Sequence, residues 1–389
     1  MYDVPSLFSL QTFEETKEKM QERLKIINLN SVQDGCSYVR HKVPFEALRS
    51  RGHYVQMTFP IYRNDFQFAV LSRAHSEQLG ETLIKMKMAG MKIVYDTDDL
   101  LFELEPENPY SSHSGSIKGS VLAKRCMSLV DVVTCTTPAL AMELQKYTKA
   151  PIRVLPNCIN PKHWTSRPHE KRNTVRVGYA GSISHLKELL FLIPIIRELK
   201  KKYNIEFHLF GVFDSLKQLE NDCTKKIEGS PIWQKLGNQV LKELQTIEYV
   251  HYPYVAIDKY PAMLASLDLD IGLCPLFQSR FNDCKSNIKF LEYAMVGTAP
   301  VCADVLPYLD CPNRLPMDPK AWKDCIEHLI LDENARKVWE KEAWFLATED
   351  YTIEKNVHRW EEVYFEALQK RLTIQRVQAG ISQERMQYA

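Results

Sequence analysis

Val175-Arg176-Val177-Gly178-Tyr179-Ala180-Gly181-Ser182-Ile183-Ser184-His185 decides the architecture. A short apolar run passes through two glycines into a helical pattern, with Leu186, Leu189, Leu190, Ile193 and Ile196 mostly three and four apart. Downstream, Ile205–Phe210 reads as a strand ending at Gly211, and further strands are expected near Ile247–Val250, Leu269–Leu273 and Ala299–Cys302. Helices are expected at Tyr260–Leu267 and Lys285–Met295. Upstream the same alternation recurs, with strands at Leu24–Ile27, Phe66–Leu71, Met91–Tyr95, Val132–Thr134 and Ile152–Leu155. Helices at Tyr38–Arg49, Glu77–Met88, Val121–Leu129 and Pro138–Lys146 separate them. Strands alternating with helices predict parallel sheets covered on both faces. Asn157–Thr174 is polar and aperiodic and reads as a linker. Two open α/β sheets so joined face each other across a cleft, and such sheets bind ligands at the carboxyl ends of their strands. Ile353–Gln375 is a long helical stretch with Trp360, Tyr364 and Leu368 four apart, and Ile381–Ala389 reads as loose.

The 389 residues suit two or three domains. An apolar fraction of 45% and a charged fraction of 25% exclude a disordered or collagenous chain. Lys plus Arg number 50 and Asp plus Glu 49, so the net charge of +1 argues against polyanion binding through bulk charge. Ten cysteines form no C-x-x-C pair, which argues against a zinc ribbon and for buried free thiols. Residues 1–22 read as a polar, partly helical leader without a signal core, and no run is long enough to cross a membrane. These features suggest a cytoplasmic chain without integral membrane contact.

Four constellations could carry chemistry. In Gly178–His185 the glycines allow close backbone approach, and the following helix start offers free N–H groups that suit a diphosphate; a plain tight turn would look the same. In the second, Lys285, Lys289 and Glu292 share one face if the segment is a continuous helix. The lysines could neutralise phosphates and the carboxylate accept from two ribose hydroxyls; a solvated charged face is the alternative. Asp96-Thr97-Asp98-Asp99 begins a run to Glu107 with six acids and no base. It could hold a divalent cation, orient hydroxyls or cap a helix. Finally, residues 40–73 carry Arg40, Lys42, Arg49, Arg51, Arg63 and Arg73 against Glu46 and Asp65, with aromatics interleaved. That stretch reads either as part of a polyanion-binding surface or as scattered solvated charge.

Together these segments resemble the GT-B glycosyltransferases, in particular the family 4 type. Val154-Leu155-Pro156-Asn157-Cys158-Ile159-Asn160 is similar to that family's V-I-P-N-G-I-D hinge strand, with Cys158 replacing the glycine and Asn160 the aspartate. Gly178–His185 resembles its G-Y-x-G-S turn and Phe210-Gly211 its strand-end glycine. Leu267–Leu273, Pro275-Leu276 and Lys289–Pro300 resemble its donor-site helix and flanking strands. Val94–Phe102 is similar to a subgroup with a Y-[DE]-x-D-D signature. The resemblance implies two Rossmann-like domains facing a cleft. Residues 1–160, completed by 351–389 as the last helix crosses back, would bind the acceptor, and 161–350 the nucleotide sugar.

It further implies transfer of a hexose or pentose from a nucleotide diphosphate sugar, such as a UDP-sugar, to a hydroxyl, with retention and without a covalent nucleophile. Glu292 matches the second glutamate of the family's E-x7-E pair, whereas Cys284 stands at the first. The donor site is placed on Gly35, Gly181, Ser182, His185, Gly211, Lys285, Ser286, Lys289 and Glu292. Asp96, Asp98 and Asp99 are the catalytic candidates, and Ser37, Tyr38, Arg40 and Arg73 the acceptor contacts. No resident cofactor or metal site is assigned, although the acidic run leaves room for a divalent cation. Among acceptors, the basic aromatic stretch favours a hydroxymethylated base in DNA, as in phage-type DNA modification, which would place the protein in a host cytoplasm. A glycan or lipid-linked saccharide is the alternative. The missing first glutamate also keeps open a non-catalytic sugar-nucleotide binder.

Overall fold

Six parallel strands form the first sheet of the computed structural model: β1 (Lys25–Asn28), β2 (Tyr54–Gln56), β3 (Phe68–Ser72), β4 (Lys92–Thr97), β5 (Val132–Cys135) and β6 (Ile152–Val154). Their spatial order is β2-β1-β3-β4-β5-β6. The second sheet holds β7 (Val175–Ala180), β8 (Ile205–Phe210), β9 (Val250–Tyr252), β10 (Ile271–Cys274), β11 (Ala299–Ala303) and β12 (Arg314–Leu315), in the order β12-β11-β10-β7-β8-β9. Every pairing is parallel. The structure describes residues 23–29, 34–57, 65–72, 77–101, 103–111, 117–165, 169–224 and 231–369. Arg63, Arg73, the leader and Ile381–Ala389 lie outside them.

The strands obey a period of two. Phe68, Val70 and Val94 point into one core layer, and Ala69, Leu71, Ile93 and Tyr95 into the other. The chain's return covers the first of these layers. In the helix over 353–369, Ile353, Val357, Trp360 and Tyr364 follow one another at spacings of four, three and four, and pack with Leu24, Ile26 and Phe68. The Tyr364 ring meets Phe68 edge-on at 4.8 Å. Crossing back to the first lobe, as expected, this helix seals a sheet whose last strand ended at Val154.

Three expectations need correction. Asn157–Thr174 is more than a linker: Asn157, Cys158, Ile159 and Trp164 are buried, and Ile159 exchanges backbone hydrogen bonds with Tyr351 and Ile353. Lys285–Met295 is not one helix. A short helix, α1 (Arg280–Asp283), is capped by Ser279, whose hydroxyl accepts from Asn282 N; a second, α2 (Ile288–Met295), starts only after Asn287. Lys285 and Ser286 lie in the turn between them, so Lys285 does not share a helical face with Lys289. The loop expected before Tyr38 is already helical at Gly35–Ser37 and runs through a wide turn, Tyr38–Lys42, into Val43–Ser50.

The two lobes share more than a hinge. Phe281 and Cys284, second-lobe residues by sequence, are buried in the first lobe's core with Tyr95, Leu100 and Leu140. Thr137 Oγ1 donates to the carbonyl of Cys284 at 2.9 Å, and Arg280 bonds both Glu103 and Glu143. Among the described residues no helix is long and apolar enough to cross a membrane.

Candidate active site

Two strand ends of the second lobe expose bare backbone. Gly181 follows β7 and donates from its N–H to Phe210 O at 3.0 Å. Gly211 follows β8 at φ +72°, a left-handed conformation that glycine adopts without a Cβ penalty. A Cβ on Gly211 would sit 3.1 Å from the Gly181 carbonyl, and one on Gly181 would press on the Tyr179 ring. Side chains would therefore fill this floor, and glycine keeps it open to close approach.

Helix α2 is anchored to the same floor by Tyr293. Its ring lies where Gly272 leaves room, since a Cβ there would come within 2.6 Å of it. Its hydroxyl accepts from Ala180 N at 2.7 Å and faces Gly178 O at 3.3 Å. This fixes the preceding turn of α2, which presents Lys289 and Glu292. Lys289 Nζ stands 4.5 Å over the Tyr179 ring, and burial lowers its pKa. Glu292 accepts from the Tyr260 hydroxyl at 2.9 Å, while burial pushes its carboxyl up to about 7. Tyr260 is itself stacked on Phe210 at 5.1 Å.

The turn after β7 brings Ser182 and Ser184 within 2.7 Å through their hydroxyls, followed by His185. Burial lowers the His185 pKa although Glu188 lies 3.6 Å away. Burial is the largest single influence on Glu188 and would raise it, but the hydrogen bond and charge of His185, a backbone hydrogen bond and the charge of Lys289 together outweigh it and hold the carboxyl below its ordinary value. Lys285 reaches across the cleft: its Nζ is 3.3 Å from Asp99 of the first lobe and 4.6 Å over the Phe281 ring. Ser286 Oγ accepts from Asn157 Nδ2 at 2.7 Å.

The first lobe treats its candidates differently. Arg40 and Asp96 are both buried and paired bidentately, at 2.9 and 2.6 Å. Arg40 also donates to Leu155 O and Asn157 Oδ1, and Asp96 accepts from Thr134. Neither is exposed to the cleft, so Arg40 is not placed as an acceptor contact nor Asp96 as a catalytic group; both brace the strand ends beneath it. Ser37 is buried and spent on Asp34, whose carboxylate accepts from Ser37 N and Oγ at 2.7 and 2.5 Å. Tyr38 has its hydroxyl 2.6 Å from His163 Nδ1, and burial raises its pKa. Gly35 faces the second lobe, where a Cβ would lie 3.9 Å from Ile257. Asp98 and Asp99 are half-buried, and Asp99 meets Lys285. The basic stretch does not assemble a surface from its described members. Arg49 donates to Val55 O, Arg51 pairs with Glu361, and Lys42 lies over the Tyr38 ring. Among the described residues no three His, Cys, Asp or Glu side chains are gathered to hold a metal ion.

The structure thus unites Gly181, Ser182, His185, Gly211, Lys285, Ser286, Lys289 and Glu292 at one edge, with Gly35 and Asp99 opposite. Sequence reasoning missed Tyr260, Tyr293 and Asn157. Tyr293 had a visible signal, as the aromatic neighbour of Glu292; Tyr260 and Asn157 are joined to the site only by folding.

No family model and no curated protein matches the sequence. Solved structures do match in fold. A glycosyltransferase from Rickettsia africae has a TM-score of 0.56 at 11% identity, over 89% of this chain and 99% of that one. Anabaena HepE in complex with UDP-glucose has a TM-score of 0.60 at 13% identity, over 88% and 100%. An alpha-glucosyltransferase in complex with UDP has a TM-score of 0.61 at 11% identity, over 88% and 99%. The fold is GT-B. In a GT-B chain the edge formed by Gly181, Gly211 and α2 faces the other lobe, and the expectation of two parallel-sheet domains across a cleft is met.

Proposed function

We propose that the protein is a GT-B glycosyltransferase that moves a sugar from a uridine diphosphate sugar to an acceptor hydroxyl. The observation that carries this reading is the convergence of two glycine strand ends with Lys289, Lys285 and Glu292 on one edge. Neighbours of the same fold hold UDP and UDP-glucose, which supports a uridine nucleotide. The sequence signatures of the hinge strand and the Y-D-x-D-D stretch favour the family 4 type.

The chemistry needs stabilisation of a departing diphosphate. Lysine ammonium groups in a partly dehydrated site do this where charge develops, without reorganising at the moment of reaction. Donor phosphates compete with Asp99 for Lys285, and a dianion beside Lys289 offsets the desolvation that lowers its pKa. Glu292, when ionised, accepts from two vicinal ribose hydroxyls. Asp96 is locked to Arg40, which leaves it no role as a nucleophile. Retention without a covalent enzyme intermediate is proposed on the family 4 resemblance alone, and proton NMR of the product reads that stereochemical outcome directly.

The DNA acceptor is not carried forward. It rested on a basic surface, and the described arginines of that stretch are buried or paired. A non-catalytic binder remains the second reading because Cys284 is buried in the first lobe's core and cannot act as the sugar-contacting acid. The deciding experiment is UDP release from UDP-sugars by the purified chain. Turnover that is abolished in Glu292→Ala supports the enzyme; UDP-sugar binding without turnover in any acceptor mixture supports the binder.

A further inference from the structure

A cavity lies between the lobes beside Lys285. Lys285 and His185 line it from the donor edge, and Glu105, Glu107 and Asn108 from the loop that follows β4. Leu236 and Phe281 supply apolar wall, and Ser184 a hydroxyl. The cations on this lining are already engaged. Lys187 stands 3.6 Å from Glu107, and Lys285 faces Asp99 and, on the proposed reading, the donor phosphates. His185 has its pKa lowered by burial. Arg280, just outside, is held by Glu103 and Glu143. Glu105 differs from its neighbours: half-buried on the cavity wall, its carboxylate enters no hydrogen bond or ion pair among the described residues.

We propose that Glu105 is a charge filter that sets acceptor class, admitting hydroxylated molecules without negative charge and rejecting phosphorylated or polyanionic ones. The inference rests on the glycosyltransferase reading and deepens it. A carboxylate accepts hydrogen bonds from sugar hydroxyls or an ammonium, whereas a phosphate at the same place meets it as a like charge in a partly dehydrated cavity. The apolar wall of Leu236 and Phe281 suits the C–H face of a sugar ring. Asn108 and Ser184 supply neutral partners for the remaining hydroxyls. Once the diphosphate occupies Lys285, no unengaged cation of the described lining remains to balance an anionic acceptor.

The test uses the full chain with UDP-glucose and UDP-galactose as donors. Acceptors are matched methyl glycosides of glucose, galactose and mannose in three forms: unmodified, 2-amino and 6-phosphorylated. UDP affinity is followed separately by calorimetry. The expected result is a kcat/KM at least tenfold higher for unmodified or amino forms than for phosphorylated ones. Glu105→Lys should narrow or reverse that ratio, and Glu105→Gln should reduce it without altering side-chain shape. Equal use of the phosphorylated forms, a ratio unmoved by both substitutions, or UDP binding without transfer to any glycoside overturns the filter and leaves the donor reading standing. Failure of UDP and both UDP-sugars to bind overturns the donor reading and the filter with it.

Discussion

The strand ends of the two lobes are built alike and charged unlike. In the first lobe, the carboxylate at the end of β4 is neutralised internally: Asp96 is buried against Arg40 and Thr134. In the second, the cation on α2 makes no contact ion pair among the described residues: Lys289 rests on an aromatic face, and burial outweighs the pull of Glu188 and Glu292 and lowers its pKa. A parallel sheet offers the same edge in both cases. Burial with a bidentate partner makes a brace, whereas burial without one makes a site that gains from an incoming anion.

That contrast breaks most visibly in the brace. Arg40→Met leaves Asp96 buried and unpaired and should cost about 3–5 kcal/mol of stability in denaturant unfolding. The double variant Arg40→Met with Asp96→Leu should recover much of the loss, and no recovery would show that the bonds from Arg40 to Leu155 O and Asn157, rather than its pairing with Asp96, carry the brace. On the other lobe, Lys289→Ala should leave unfolding nearly unchanged and lower kcat about 10²–10³-fold, as for removal of one group that stabilises a developing anion. If Lys289→Ala destabilised the fold as much as Arg40→Met, the two edges would not differ in kind.

Smaller effects sharpen the same contrast. Gly211→Ala forces a side chain into a left-handed backbone and toward the Gly181 carbonyl, and should cost about 1 kcal/mol or more while weakening UDP binding. Burial holds the Glu292 pKa at about 7, above its unfolded value, so this residue's contribution to stability declines as pH rises from about 4.5 to 7. Donor affinity should run the other way and rise through pH 7 as the carboxylate forms; Glu292→Gln should flatten the titration measured by calorimetry. The least effect on the cleft is expected from His169, away from both edges. Hydrogen bonding to Glu340, with Asp268 and the Gly297 carbonyl, raises its pKa to about 9 against burial. Its stabilisation is complete below about 6.5 and is lost as pH rises through 9. Thermal melts between pH 6 and 10 should show that slope in the wild type and lose it in His169→Gln.

Much of the fold was legible because it depends on local periodicity. The Gly178–His185 turn and the alternating strands were visible residue by residue, and β8 matched its expected span from Ile205 to Phe210. Less was legible where distant segments decide the outcome. Leu216–Thr224, Pro231–Leu244, Pro319–Leu331 and Glu333–Asp350 were not singled out, and β2 is only three residues long. The Lys285–Met295 helix was overextended because the Ser279 cap and the Thr137 bond to Cys284 stop the chain from helical continuation there, and neither shows in a window of charged residues. Arg40 read as an acceptor contact and Asp96 as a catalytic candidate. Their pairing spans 56 positions, a relation that no spacing rule reaches.

Phe281 and Cys284 carry a last consequence. Because these two side chains complete a hydrophobic interior to which they do not belong by sequence, the halves of the molecule are not interchangeable modules. A fragment ending near residue 170 would lack that plug as well as the sealing helix at 353–369, and would leave apolar walls open on both faces of its sheet. Shuffling one half for that of another GT-B protein would carry the same defect unless the plug travelled with it.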